Sequence, residues 1–202
     1  MQDWLTMTAA DLGRGIDTGE IDPVELTQFF LDAIDAHEYK DRIYARVTPD
    51  RALSEASAAQ DRARLKLRRS PLDGVPISWK DLFDTAGTVT EAGSKLLAGR
   101  VPDADAEVLQ AATQSGTVCL GKTHLSELAF SGLGLNPKTA TSPNIHNPDN
   151  APGGSSSGAA TSVAYGLAPA AIGSDTGGSV RVPSAWNDLV GLKTTSGVLS
   201  LT

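Results

Sequence analysis

The 202-residue sequence predicts an α/β protein with a mixed central β-sheet covered by helices on both faces. Segments with apolar residues at helical spacing alternate with short apolar runs that are typical of buried strands. The chain is 40% hydrophobic and 20% charged, which is enough apolar material for a large core. We therefore expect one domain over residues 1–202, with a helical N-terminal segment (1–70) and a core that carries the functional motifs (71–202).

Two local signals mark helix starts in the N-terminal segment. Thr8 precedes an amphipathic stretch and can cap it, because its hydroxyl can accept a hydrogen bond from an N–H group of the first turn. Asp22 followed by Pro23 is a stronger start, since a proline in the first turn sacrifices no helical hydrogen bond. The predicted elements are helices over Ala9–Thr18 and Arg51–Leu67, a helix that begins at Pro23, and a strand over Ile43–Val47.

Beyond residue 70 the pattern changes to turns, short apolar runs and glycine-rich loops. The apolar runs predict buried strands at residues 75–80, 117–120, 167–173 and 190–193. Helices are predicted over residues 105–114 and 159–165, and a long loop rich in Asn, Pro, Gly and Ser over residues 143–158. This alternation of strands and helices is what predicts the layered sheet.

Composition limits the classes of function. The chain has 17 basic and 24 acidic residues and a net charge of −7, which disfavours nucleic acid and an anionic membrane as partners. Cys119 is the only cysteine and the three histidines lie far apart, so neither an internal disulfide nor a cysteine-based zinc site is expected. No apolar run reaches the ~20 residues of a spanning helix, and the N-terminus lacks a signal-peptide core. We expect a cytoplasmic protein.

Two motifs match known functional patterns, but the residues around each of them argue against that function. Gly116–Thr123 matches the phosphate-binding loop of nucleotide-binding proteins, but a helix precedes it and its middle is typical of a strand. Gly154–Gly158 matches the G-x-S-x-G elbow of serine hydrolases, yet no histidine follows His146 to complete a triad in that order. A flexible linker is the alternative interpretation of residues 153–158. Nucleotide binding is kept as an alternative function.

A second glycine–serine segment, Gly173–Ser179, points to a serine nucleophile. Ser179 follows two glycines after a predicted strand, where its hydroxyl can lie beside backbone N–H groups that stabilise an oxyanion. Such a serine needs a base, and lysine is a known substitute for histidine. Lys80 lies in an apolar run with Ile77 and Trp79, and it can be neutral if its amine is buried. The alternative is a lysine at a strand end whose amine reaches water.

Three segments, taken in order, indicate a family. Residues 71–81 read Pro-Leu-Asp-Gly-Val-Pro-Ile-Ser-Trp-Lys-Asp, residues 152–158 read Pro-Gly-Gly-Ser-Ser-Ser-Gly, and residues 175–183 read Asp-Thr-Gly-Gly-Ser-Val-Arg-Val-Pro. These motifs and their separations resemble the amidase signature family, and the resemblance runs from about residue 8 to the end. It implies the amidase signature fold, a mixed sheet between helical layers, which is incomplete here because family members are much longer.

The resemblance also implies a role for each motif residue. The family uses a Ser–cis-Ser–Lys triad, so Ser179 would be the nucleophile, Lys80 the base, and Ser155 the serine, preceded by a cis peptide bond, that passes the proton between them. A small-molecule carboxamide would be hydrolysed through an acyl-enzyme on Ser179, with no metal or cofactor. The oxyanion would be bound by N–H groups of Thr176, Gly177, Gly178 and Ser179, and the supporting side chains would be those of Ser156, Asp175 and Arg181.

The resemblance leaves alternatives open. Within the family, the alternative is the A subunit of an aminoacyl-tRNA amidotransferase, which releases ammonia from glutamine; outside enzyme chemistry, it is an inactive structural fragment. Asn187 and Asp188 stand where the family often has Cys-Gly.

The chain stops after a strand-like segment at 198–201, so we expect uncovered apolar surface at 167–172 and 189–192. A second polypeptide, the family's C-terminal half or self-association into a homodimer would cover it.

Overall fold

The sheet has four strands in the order β1-β3-β2-β4 in the computed structural model, which describes residues 4–199. The strands are Tyr44–Val47 (β1), Pro76–Lys80 (β2), Val118–Thr123 (β3) and Ala171–Ile172 (β4). Strand β1 is antiparallel to β3, whereas β2 is parallel to both β3 and β4. The expected mixed sheet is therefore confirmed, and Lys80 is the last residue of a central strand.

Seven α-helices accompany the sheet within residues 4–199, and two of them begin at the predicted caps. Thr8 accepts a hydrogen bond from the N–H of Asp11, and Asp22 accepts from the N–H groups of Val24 and Glu25. In the same range, no helix is both long and apolar enough to cross a membrane. The helices are Ala9–Thr18 (α1), Pro23–Ala36 (α2), Lys40–Ile43 (α3), Pro49–Arg64 (α4), Glu107–Gln114 (α5), Ser157–Ala164 (α6) and Arg181–Trp186 (α7).

Apolar side chains form a cluster on each face of the sheet. The larger cluster joins the apolar sides of α1, α2 and α4 to strand β3. The smaller cluster joins Leu109 of α5 to Ile77 and Trp79 of β2. Successive strand residues point to opposite faces, so Lys80 points away from the smaller cluster. The alternation in β2 thus directs the lysine to the face on which the loop before α6 lies.

The strand predicted at 167–173 is much shorter in the structure, where only Ala171–Ile172 pairs with β2. Leu167 instead closes the end of α6, because its N–H donates to the carbonyl of Ser162 at 2.7 Å. The side chain of Leu167 is buried in the larger apolar cluster. The expectation that this residue forms uncovered apolar surface is therefore wrong.

The strand predicted at 190–193 is also wrong. This stretch is irregular and pairs with no strand within residues 4–199, so its apolar pattern lacks the neighbour that a strand needs. Val190 and Leu192 are 101% and 79% exposed, which confirms the expected uncovered apolar surface here. The strand-like segment predicted at 198–201 lies partly outside the described residues, from position 200 onwards.

The nucleotide-binding alternative is contradicted by the structure of Gly116–Thr123. Most of this segment is strand β3, not an open loop that could surround a phosphate. The amine of Lys122 is buried, donates to the carbonyl of Phe83 at 2.7 Å and lies 3.3 Å from the carboxylate of Asp81. This lysine therefore holds the chain after β2 in place and is not available to a nucleotide.

Candidate active site

Lys80 is fully buried at the end of β2 and makes two side-chain hydrogen bonds. Its amine lies 2.6 Å from Oγ of Ser155 and 2.8 Å from Oγ of Ser174. Ser155 precedes α6, and Ser174 follows β4. Because β2 and β4 are parallel, their carboxyl ends lie at the same edge of the sheet, where binding sites of α/β proteins form. The topology therefore brings together residues that are far apart in sequence.

Burial changes the acid–base chemistry of Lys80. It lowers the pKa of this lysine to about 7, against the opposing effect of the negative charge of Asp175. Burial also lowers the pKa of Lys122, but that amine is ion-paired with Asp81. Lys80 has no carboxylate at ion-pair distance within residues 4–199. An amine with a pKa near 7 is neutral in much of the population at neutral pH and can accept a proton.

The segment that carries Ser155 is buried in the core. The peptide bond between Gly154 and Ser155 is cis, which confirms this implication of the resemblance. The side chains of Ser155, Ser156 and Ser157 are all buried. A flexible linker would leave them in water, so the linker interpretation of residues 153–158 is wrong.

A neighbouring loop over residues 126–134 holds this segment through backbone contacts. The N–H groups of Gly153 and Gly154 donate to carbonyls of the loop at 3.1 and 2.8 Å, and the carbonyl of Ser155 accepts from an N–H of the loop at 3.2 Å. Gly134 has a positive φ of 79°, and a Cβ there would lie 2.2 Å from the carbonyl oxygen of Gly153. The close approach therefore requires glycine at position 134.

Ser156 joins the segment of Ser155 to the turn that contains Ser179. Its N–H donates to the carbonyl of Ser179 at 3.1 Å. Its hydroxyl donates to the carbonyl of Ser174 at 3.2 Å and accepts from the N–H of the same residue at 3.3 Å. Ser179 is half-buried whereas Ser155 is fully buried, so the predicted nucleophile lies closer to solvent than the Lys80–Ser155 pair.

Asp175 organises the turn that carries Ser179. Its buried carboxylate accepts hydrogen bonds from the N–H groups of Gly178, Val180 and Arg181 at 2.7, 3.1 and 3.2 Å. The guanidinium of Arg181 adds two contacts of 2.9 Å. This guanidinium, helped by the backbone N–H groups, holds the pKa of Asp175 well below its usual range. The carboxylate therefore stays charged and fixes the backbone on both sides of Ser179.

The N–H groups expected to bind an oxyanion differ in their contacts. The N–H of Gly178 is occupied by the carboxylate of Asp175. Those of Thr176, Gly177 and Ser179 have no acceptor within the described part of the chain, and Thr176 and Gly177 are exposed. The turn therefore presents three free N–H groups, one of them on Ser179 itself.

Known proteins similar to this chain identify its family. A family model described as Amidase matches residues 25–202, a range that includes all three motif segments. The chain belongs to the amidase family. The structure of native peptide amidase from Stenotrophomonas maltophilia, a similar fold, has a TM-score of 0.90 and 38% identity over 98% of this chain.

Curated relatives of this amidase-family chain carry the name of the A subunit of glutamyl-tRNA(Gln) amidotransferase. The protein from Chloroflexus aggregans is 41% identical over 197 residues, and that from Thermobifida fusca is 40% identical over 200 residues. These matches cover 98% and 99% of this chain but 40% of each relative. The chain likewise covers 42% of the peptide amidase. The chain thus spans about two fifths of the length of these relatives.

Two residues of this amidase-family site were not assigned a role from the sequence. Ser174 is the second partner of Lys80, and nothing but its position in a motif-flanking loop could have indicated this. Asn187 is buried, and its amide donates to the carbonyls of Pro152 and Pro183 at 2.7 and 2.8 Å. It therefore connects the end of α7 to the start of the Ser155 segment. The one signal in the sequence that could have indicated Asn187 is that it stands where the family often has Cys.

Proposed function

We propose that this chain carries the catalytic residues of an amidohydrolase, with Ser179 as nucleophile, Ser155 as proton relay and Lys80 as base. The observation that carries this proposal is the 2.6 Å contact between the buried amine of Lys80 and the hydroxyl of Ser155. Within residues 4–199, no carboxylate lies at ion-pair distance from that amine to keep it charged. Ser179 lies in the adjoining turn, which is linked to Ser155 through the backbone of Ser156.

In the acylation step, Oγ of Ser179 attacks the carbonyl carbon of the amide. Its proton passes to Oγ of Ser155, whose own proton passes to Nζ of Lys80. The free N–H groups of the turn stabilise the negative charge that forms on the substrate oxygen. The C–N bond then breaks, its electron pair stays on nitrogen, and the proton returns from Lys80 through Ser155 to the leaving amine or ammonia.

In the deacylation step, the same groups act on water. Water attacks the ester carbonyl of the acyl-enzyme and gives a proton to Lys80 through Ser155. The bond between the acyl group and Ser179 breaks, and the serine oxygen recovers the proton. The balance is one amide and one water converted to one carboxylic acid and one amine, with no change of oxidation state and no cofactor.

The A subunit of an amidotransferase is the second candidate, because the curated relatives at 40–41% identity carry that name. In that case glutamine is the amide, and the ammonia is passed to an acceptor bound by partner subunits. A panel of primary amides distinguishes the two. A general amidase hydrolyses several of them alone, whereas an amidotransferase component hydrolyses glutamine only and depends on its partner subunits.

We also propose that further polypeptide covers apolar side chains that are exposed on this chain. Large apolar side chains are exposed before and after the serine-rich loops along the chain, namely Phe130 (92% exposed), Val190 (101%) and Leu192 (79%). The relatives continue well beyond the matched region. Residues 1–202 alone are expected to self-associate in sedimentation and to lack amidase activity, in contrast to the protein extended to the length of its relatives. A monomer of residues 1–202 that hydrolyses simple amides would contradict this.

The nucleophile can be tested without knowing the substrate. A fluorophosphonate reacts with an activated serine, forming an O–P bond and releasing fluoride. We expect mass spectrometry of the full-length protein to place the adduct on Ser179, and Ser179→Ala to abolish both labelling and amide hydrolysis. Removing a covalent nucleophile is expected to cost about 10⁴-fold in rate. Labelling of another serine, or a Ser179→Ala variant that keeps a tenth of the activity, would overturn the assignment and favour an inactive fragment or a different site.

A further inference from the structure

Ser174 is the second side-chain partner of Lys80. Its Oγ lies 2.8 Å from Nζ, only slightly farther than the 2.6 Å between Nζ and Ser155. We propose that Ser174 is a positioning residue that orients the amine of Lys80 toward Ser155. The proposal rests on the proposed function, since it assigns a role in the same proton transfer.

The backbone of Ser174 is itself fixed on both sides. Its N–H donates to the hydroxyl of Ser156, and its carbonyl accepts from the same hydroxyl. Gly173 permits this approach, because a Cβ there would lie 2.6 Å from Oγ of Ser156. The result is a chain of contacts from Ser156 through Ser174 to Lys80. The amine therefore meets a hydroxyl that is held in place, in contrast to a mobile water molecule.

The hydrogen-bonding capacity of a neutral amine explains what this hydroxyl does. Neutral Lys80 has two N–H donors and a single lone pair, and only the lone pair can take the proton of Ser155. When Ser174 accepts one N–H, rotation about the terminal C–N bond is restricted and the lone pair can face Ser155. Without Ser174, the buried amine loses that acceptor and samples orientations in which the lone pair points elsewhere. The rate of proton transfer falls accordingly.

The hydroxyl of Ser174 also stabilises the charged form of the amine. An acceptor binds an ammonium N–H more strongly than an amine N–H, so removing it lowers the pKa of Lys80 further. Of the two nearby carboxylates, Asp175 and Asp81, it is Asp175 that acts on this equilibrium. Asp175 raises the pKa of Lys80 through its charge. Asp81, the residue after Lys80, is occupied by Arg46 at 2.7 Å and Lys122 at 3.3 Å.

The decisive experiment measures the pKa of Lys80 directly, in protein labelled with ¹³C at the lysine Cε. The full-length protein is compared with Ser174→Ala, with Ser174→Thr, which keeps a hydroxyl, and with Ser57→Ala, a matched change at an exposed position of α4. We expect Ser174→Ala to lower the titration midpoint by about half a pH unit or more. Ser174→Thr and Ser57→Ala are expected to leave it within a fifth of a pH unit of the parent.

The effect of Ser174 on the nucleophile is measured as the rate at which the fluorophosphonate labels Ser179. Ser174→Ala is expected to slow it about 10- to 100-fold at pH 7 and to move the rise of its pH profile in the same direction as the Lys80 titration. Ser174→Thr is expected to restore most of the rate. Equal melting temperatures of the variants show that each is folded.

The outcomes separate this inference from the proposed function. If the Lys80 titration of a folded Ser174→Ala protein matches that of the parent, Ser174 does not act on the amine and the inference is overturned, even where labelling is slower. If the titration moves but Ser179 is not labelled in the parent protein, the contact with the amine is supported and the proposed function fails, and with it the catalytic role of Ser174.

Discussion

The amine of Lys80 and the hydroxyl of Ser155 lie 2.6 Å apart although 75 positions separate them in the chain. The amine is fully buried, yet no carboxylate within residues 4–199 lies at ion-pair distance from it. In most buried lysines, a paired charge offsets the loss of hydration. Lys80 instead meets two hydroxyl groups, which tolerate a neutral amine. This pairing is what the proposed role of Lys80 as a base requires.

The pH dependence of the reaction should report the protonation of Lys80. In the proposed mechanism neutral Lys80 is the base. Because burial lowers the pKa of Lys80 to about 7, we expect kcat/KM to rise with pH between about 6 and 8 and then to level off. Lys80→Arg should abolish the activity, because a guanidinium does not lose its proton at these pH values. Steady-state hydrolysis of a primary amide at constant ionic strength measures both effects. Lys138→Arg, at an exposed position, is the matched control. A profile that is flat from pH 5.5 to 8.5 would exclude Lys80 as the base.

The buried amine should make the protein less stable than an apolar side chain would. In the unfolded chain Lys80 has an ordinary pKa of about 10.5, so between pH 7 and 10.5 the unfolded state binds more protons and stability rises with pH. Below pH 7 both states are protonated at this residue, and the folded state carries the full cost of burying the charge. We therefore expect Lys80→Met to increase the free energy of unfolding at pH 6. The expected net gain is about 1–3 kcal/mol, because the hydrogen bonds that Ser155 and Ser174 lose offset part of it.

Urea denaturation at pH 6 and at pH 9.5 measures this difference. The gain from Lys80→Met should shrink at the higher pH, because the folded protein no longer carries a buried charge there. Lys138→Met, a change of the same kind at an exposed position, should show no such dependence. A Lys80→Met protein that is less stable than the parent at pH 6 would mean that the amine is hydrated or paired in solution.

Asp175 and Arg181 contact each other, but their substitutions should have unequal effects. The carboxylate of Asp175 holds three backbone N–H groups around Ser179, whereas the guanidinium of Arg181 is 52% exposed and its charge is screened by water. Asp175→Asn should therefore lower kcat/KM by about 100-fold, since an amide cannot accept all of these bonds and the free N–H groups of the turn lose their alignment. Arg181→Ala should cost about tenfold or less.

Initial rates and melting temperatures of the two variants test this order. Because Asp175 also raises the pKa of Lys80, Asp175→Asn should move the pH profile toward lower pH, which a general loss of folded protein would not do. A larger loss for Arg181→Ala than for Asp175→Asn would show that the guanidinium, and not the carboxylate, is the group that matters to the turn.

Local features of the fold could be predicted because their causes lie within a few residues. Thr8 and Asp22 accept hydrogen bonds from N–H groups two or three positions further along, so the sequence window that defines the helix start also contains its cap. The apolar run at 190–193 shows the limit of such reasoning. Its pattern predicts a strand, but a strand forms only where another strand supplies hydrogen-bond partners, and residues 4–199 contain none for it.

The sequence by itself determined the family, the identity of the motif serines and lysine, and most of the helices and central strands, since these follow from short patterns of residue types. Only the tertiary structure decided which groups touch. Ser174 reaches Lys80 because β2 and β4 are parallel and end at the same edge, and Asn187 reaches Pro152 across 35 positions because α7 packs beside the Ser155 segment. Contacts between distant residues depend on how strands pair and helices pack, and a pattern within one segment contains no information about its neighbours.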